Sequence, residues 1–202
     1  MSLLASVAAG EVDLDRVLAG VERRYNAAKT LEVQFSQEYA AQGRSRRPEH
    51  GTLYLRKPGR MRWAYSNPQG KLFITDGKLA WFYSPDANRV ERTRMKETDD
   101  VRAPFAFLLG RLDFRKEFGK FYTRQEGPDA WISAIPKSDR LPFTRVEFLV
   151  SPEHVIRRLK ILGQDQSEMG FSFTGEKRNV TMAESLFRFQ PPQGVEIVDT
   201  EQ

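Results

Sequence analysis

His50 and His154 are the only imidazoles in the chain, and there is no cysteine. This short supply of reactive groups limits the chemistry available. Without thiols there can be no disulfide, thiolate metal site, thiol nucleophile or lipidated N-terminal cysteine. The two histidines do not have metal-ligand spacing, and a three-ligand zinc site would need carboxylates that no pattern assigns. Gly170-Phe-Ser172-Phe-Thr-Gly175 misses the G-x-S-x-G spacing of a nucleophile elbow. Neither a P-loop nor a G-x-G-x-x-G run is present. Asp99-Asp100 precedes Pro104, where carboxylates suit the positive end of a helix dipole, so the pair reads as a cap. The chain is expected to be a non-enzyme that needs no cofactor and no metal.

Aromatic and basic side chains remain, and both can bind. Fourteen Phe, six Tyr and three Trp accompany a net charge of +5. Arg44, Arg46, Arg47, Arg56, Lys57, Arg60 and Arg62 lie close in sequence, and a basic stripe beside aromatic rings binds single-stranded nucleic acid. Strand alternation counts against that use. Met61, Trp63 and Tyr65 share one side, while Arg60 and Arg62 take the other, so stacking and charge are separated. The cations then read as a solvated face, or as a surface attracted to anionic headgroups or an acidic partner. The rings read individually as core. Collectively they supply enough apolar surface for a curled sheet to leave its concave face partly unfilled.

The elements that must position these residues can be read in order. Leu14, Val17, Leu18, Val21 and Tyr25 recur at helical spacing. Residues 31–39 alternate as a half-buried strand, and 42–48 form a basic loop. Five strands follow at 52–56, 61–65, 71–75, 78–83 and 89–93, separated by Lys57-Pro58-Gly59, Asn67-Pro68-Gln69-Gly70, Asp76-Gly77 and Ser84-Pro85-Asp86. Asp76-Gly77 is expected to be a hairpin turn with both residues at positive φ. Pro104 sits near the start of an apolar helix at 101–109, which reads equally as buried core or as a lid. A short helical turn over 112–118 leads to strands at 120–125, 130–135, 144–150, 155–162, 168–174 and 177–180. A last strand over 187–198 is broken by Pro191-Pro192. At 202 residues the chain is expected to be one domain over 1–202, with 1–10 a flexible leader. No run of about 18 apolar residues is long enough to span a membrane. Residues 1–10 lack the basic start and full apolar stretch of a signal peptide, which is therefore absent or trimmed.

The order of these motifs resembles the LolA family, the periplasmic carriers of outer-membrane lipoproteins in Gram-negative bacteria. Phe35-Ser36-Gln37 carries the likeness first. Gly51-Thr-Leu-Tyr-Leu-Arg-Lys-Pro58-Gly-Arg-Met-Arg-Trp63-Ala-Tyr65, Pro68 and Asp76-Gly77-Lys-Leu-Ala-Trp81-Phe-Tyr83-Ser-Pro85 follow it. Phe187-Arg-Phe189-Gln-Pro-Pro192-Gln-Gly194-Val closes the match, which covers roughly residues 14–198.

The resemblance implies a mainly β (α+β) fold, an incomplete antiparallel β-barrel whose short helices form a lid over a hydrophobic cavity. The acyl-chain cavity is then expected to use Val21, Tyr25, Val33, Phe35, Leu53, Leu55, Met61, Trp63, Tyr65, Phe73 and Trp81. Phe105, Phe107, Leu108 and Leu109 would form the lid. In the family a basic residue before the proline of this turn bonds to the lid backbone and holds it shut. Lys57 stands there, where arginine is usual, with Arg56 beside it as the other candidate latch. Lysine is a point charge with no planar fork, which implies a lid that opens more easily. Implied partners are acylated lipoproteins, the inner-membrane transporter LolCDE and the outer-membrane acceptor LolB, with transient contact to a membrane surface. The implied state is a periplasmic monomer that binds no nucleic acid. The alternatives are a LolA-like periplasmic lipid, glycolipid or sensor protein, and a basic single-strand-binding module. The missing cysteine argues against a LolB-like acceptor.

Overall fold

The computed structural model describes residues 12–94, 112–139 and 141–199. The expected lid residues Phe105, Phe107, Leu108 and Leu109, and the expected leader, lie outside them. Helix α1 spans Leu14–Asn26, where helical spacing places it. The Asp13 carboxylate accepts from the Arg16 amide at 3.0 Å, and Arg23 and Arg24 occupy the last turn, where cations suit the negative end of the dipole. Leu18, Val21 and Tyr25 are buried. Gly20 is buried as well, and the His154 ring packs so close that a Cβ there would stand 2.0 Å from it.

The strands are β1 (Thr30–Ala41), β2 (Arg44–Ser45), β3 (Glu49–Arg56), β4 (Arg60–Asn67), β5 (Leu72–Asp76), β6 (Leu79–Ser84) and β7 (Arg89–Arg94). After the undescribed stretch come β8 (Phe118–Glu126), β9 (Asp129–Pro136), β10 (Phe143–Val150), β11 (Ile156–Gly163), β12 (Glu168–Arg178) and β13 (Glu196–Asp199). They form one open sheet in the order β13-β7-β6-β5-β4-β3-β1-β12-β11-β10-β9-β8, with β2 paired to the end of β1. Neighbours are antiparallel, except that β13 runs parallel to β7 at one edge.

The sheet is strongly curled. Two strands, β3 and β1, lie between β4 and β12, which would put those two about 14 Å apart in a flat sheet. Yet the Trp63 ring of β4 and the Phe171 ring of β12 have centroids 5.3 Å apart. A single buried cluster therefore fills much of the concave side, joining Val21, Val33, Leu53 and Met61 to Phe114, Phe148 and Leu159.

Three expectations are corrected. At the 76–77 turn only Gly77 has positive φ (94°), and Thr75 pairs with Ala80, so Gly77-Lys78 occupies the two loop positions with glycine first. The Asp76 carboxylate instead accepts from the amides of Lys78 and Leu79, both at 2.8 Å. The strands expected at 168–174 and 177–180 are one strand, β12, that passes through Gly175 at φ 66°. The expected last strand over 187–198 is mostly not a strand. Its start is a 3-10 turn, Glu184–Phe187, and only Glu196–Asp199 pairs. Pro191 and Pro192 have no N–H to give a ladder, and the segment lies across the convex side of the sheet.

Candidate functional site

One end of the concave face is closed by α1. The Tyr25 hydroxyl donates to Glu176 Oε2 at 2.8 Å and accepts from the Ile156 amide at 3.0 Å. Arg24 donates through Nε to the other Glu176 oxygen at 3.0 Å. Burial pushes the Tyr25 phenol well above its ordinary 10, and the Glu176 charge adds to that shift. Lys57 Nζ donates to the Tyr25 carbonyl at 2.9 Å, on the same oxygen that accepts from the Ala28 amide at 3.3 Å at the helix end. Burial lowers the Lys57 ammonium below its ordinary range. Of the two expected latch residues, Lys57 is thus committed to α1. Arg56 lies on the convex side and pairs with Glu184 at 2.7 Å.

The other end is open. There a cavity of ≈ 400 Å³ is walled by Trp63, Phe73, Phe82, Phe171, Ile161 and Met169. Register explains the gathering. Trp63 lies opposite Phe73 and Phe73 opposite Phe82, so three consecutive strands present a ring to the same side. Phe35 backs the wall, meeting Trp63 at 4.7 Å and Tyr65 at 5.0 Å in edge-to-face contacts. Opposite Phe35 stands Gly51, where a Cβ would be 2.2 Å from the Ala64 carbonyl oxygen and 2.9 Å from the Phe35 ring. Glycine there makes room for the aromatic wall.

Polar groups stand at the rim. Lys71 Nζ contacts both Glu49 oxygens, at 2.7 and 2.5 Å, and lies 4.5 Å from the Tyr65 ring centroid. The Tyr65 hydroxyl donates to Gln37 Oε1 at 2.9 Å. Tyr39, Arg46, Arg47 and Glu91 complete the edge.

Of the residues expected at the cavity, Trp63, Tyr65 and Phe73 line it. Val21, Tyr25, Val33, Phe35, Leu53, Leu55 and Met61 are buried in the packed cluster on the same side and do not line it. Trp81 is on the opposite side. It pairs with Ile74 and Arg92, its ring is 5.9 Å from Phe189, and the Arg92 guanidinium lies over it at 5.3 Å. Phe82, Ile161, Met169 and Phe171 escaped the sequence reading. The alternation Met169, Phe171, Phe173 along β12 was the available signal. The basic residues do not form one stripe: Arg56 and Arg60 both bind Glu184, Arg62 donates to the Leu186 carbonyl at 3.1 Å, and Arg46 and Arg47 stand at the cavity mouth. Among the described residues no group of three or more His, Asp or Glu could hold a metal ion. The arrangement suits sequestration of an apolar chain from water, with polar contacts confined to its exit.

Comparison with known proteins gives a consistent picture. The family model "Outer membrane lipoprotein carrier protein LolA" matches residues 26–190. The outer-membrane lipoprotein carrier protein of Nitrosospira multiformis is 28% identical over 172 residues, covering 85% of this chain and 83% of that protein. That of Nitrosomonas europaea is 28% identical over 174 residues, covering 86% of this chain and 84% of its own. In fold, the chain is similar to the crystal structure of an uncharacterized conserved protein from Thermus thermophilus. That match has a TM-score of 0.54 and 12% identity, and covers 94% of this chain and 100% of the other.

Proposed function

The chain belongs to the outer membrane lipoprotein carrier protein LolA family, and from that premise we propose that it is a periplasmic carrier of lipoproteins. It holds their acyl chains against the concave face of its open sheet and moves them from the inner to the outer membrane. The observation that supports this most directly is the cavity of ≈ 400 Å³ between β4–β6 and β11–β12, whose walls are rings and aliphatic chains. That volume falls within the range of about 300–1,000 Å³ typical of small-molecule sites.

The energetics suit a carrier. A C16 chain moved from water into hydrocarbon gains on the order of 12 kcal/mol, so it does not travel free. A bilayer offers the same gain, so the carrier must bind with comparable strength or the cargo never leaves. Aromatic rings and Met169 provide apolar contact of that kind without a tight, shape-specific slot. The cycle requires a loading step at the inner membrane and a stronger acceptor at the outer one, the roles of LolCDE and LolB in this reading. No bond is made or broken.

The test is a competition assay. A fluorescent acyl probe bound to the protein is titrated with a triacylated lipopeptide, its acyl-free counterpart and a single-stranded oligonucleotide. Displacement by the acylated peptide alone is expected. Displacement by the bare peptide or by the oligonucleotide would overturn the reading.

A further inference from the structure

The mouth of the cavity is cationic, and the hairpin that carries its arginines is held in place. β1 and β2 form a tight hairpin in which Ala41 pairs with Arg44 and the two loop residues, Gln42 and Gly43, have φ of 50° and 74°. Two positive φ values in a two-residue loop make the turn whose twist matches its strands, so the hairpin is stiff. The Arg46 amide returns to the Tyr39 carbonyl at 2.9 Å, and its guanidinium lies 4.8 Å from the Tyr39 ring centroid. Arg46 and Arg47 are both exposed, and both border the apolar cavity.

Neighbouring charges do not cancel these two. The rim carboxylates are Glu49 and Glu91. Glu49 is held by Lys71, and Glu91 lies 3.5 Å from Arg89. Arg46 and Arg47 form no ion pair with any described residue. Two guanidinium groups are therefore left facing the exit of a hydrocarbon-walled pocket. A guanidinium is a planar fork suited to phosphate oxygens.

We propose that Arg46 and Arg47 form a headgroup subsite, so that this protein binds single molecules of anionic, phosphate-bearing acyl lipid, chain inward against Trp63, Phe73 and Phe171 and phosphate at the hairpin. The proposal rests on the acyl-chain reading of the cavity and deepens it by naming an amphiphile class. Charge acts here on selectivity. The chain provides most of the affinity, and the arginines rank headgroups by sign, an effect that weakens as salt screens it.

The experiment is calorimetric titration, below micelle formation, with two lysolipids that share a myristoyl chain, lysophosphatidylglycerol and lysophosphatidylcholine. The wild-type protein is expected to prefer the anionic lipid by about tenfold, the scale of one exposed charge-assisted contact pair. Arg46→Gln/Arg47→Gln is expected to lose the preference, its affinity for the anionic lipid falling about tenfold further than that for the zwitterionic lipid, whose phosphate charge is offset by its choline. Circular dichroism checks that the variant is folded. Equal wild-type affinities, or a preference that survives in the variant, would overturn the proposal. So would glycerol phosphate binding as tightly as the lysolipid, which would mark a free-anion site. If the variant loses only its binding to phosphatidylglycerol vesicles and keeps the monomer preference, the hairpin reads a bilayer surface and the subsite is refuted. Failure to bind either lysolipid would instead defeat the underlying acyl-chain reading.

Discussion

The two ends of the concave face are built from the same alternating strands and put them to different uses. At the closed end, α1 adds Leu18, Val21 and Tyr25 to the buried cluster that holds Leu31, Leu55 and Met61, and Lys57, Tyr25 and Glu176 tie it down with hydrogen bonds. At the open end, Trp63, Phe73, Phe82 and Phe171 leave a cavity. Burial does not separate them: Met61 is 2% exposed and Trp63 3%. Position along the strand does. A residue's depth relative to the helix decides whether it is packing or binding surface, and that depth is a tertiary quantity.

A matched pair of charges breaks this comparison most sharply. Met61→Glu puts a carboxylate into the packed end, where the Met61 sulfur accepts from the Trp63 indole N–H at 2.8 Å. An unpaired buried charge costs about 3–5 kcal/mol, so urea denaturation should find the protein severely destabilised. Phe82→Glu places the same charge on the half-buried cavity wall, in reach of solvent. There the fold should survive, while acyl-probe affinity falls on the order of a hundredfold, or about 2.7 kcal/mol. The comparison fails if both substitutions do the same thing.

Gly51→Ala tests the wall's support. The new methyl group cannot coexist with the Ala64 carbonyl oxygen at 2.2 Å, and that backbone is fixed by the β3–β4 ladder. A loss of about 1–3 kcal/mol is expected in denaturant titration, together with weaker acyl binding as Phe35 and Trp63 shift. Stability without that coupling would mean the wall tolerates movement.

Tyr25→Phe probes the closed end alone. Removing the hydroxyl leaves Glu176 and the Ile156 amide short of a partner, which costs about 1–2 kcal/mol at neutral pH with acyl affinity unchanged. The pH dependence has a definite sign. A phenol whose folded pKa is raised contributes fully below the unfolded value of 10.0 and loses that contribution as pH climbs past it. Wild-type stability should therefore decline on alkaline titration above pH 10 more steeply than that of the phenylalanine variant. Parallel curves would sink the assignment.

Much of this was legible in the sequence for physical reasons. Helix α1 and the strands from β3 to β7 announce themselves because alternation and Pro/Gly punctuation are local. Lys57 was visible as a cation before a proline; its partner, the end of α1, was not, because Tyr25 is remote in sequence and meets it only through curling of the sheet. The cavity's far wall, Ile161, Met169 and Phe171, is hidden for the same reason. Trp81 is different. A two-residue turn pairs odd-numbered residues with even ones, so Phe73 and Trp81 cannot share a side whichever two residues form the loop. That separation follows from turn arithmetic alone.

Trp81→Phe uses that arithmetic for the smallest expected effect. The indole lies on the convex side between Phe189 and the Arg92 guanidinium, and a phenyl ring keeps most of that contact. Stability should change by about 0.5 kcal/mol, and acyl-probe affinity should hold within about twofold. The adjacent Phe82 is the control, one residue along the same strand but facing the cavity. A large loss of acyl binding at Trp81 would mean that lipid reaches the convex side as well, and that the difference between the two ends is not what selects the site.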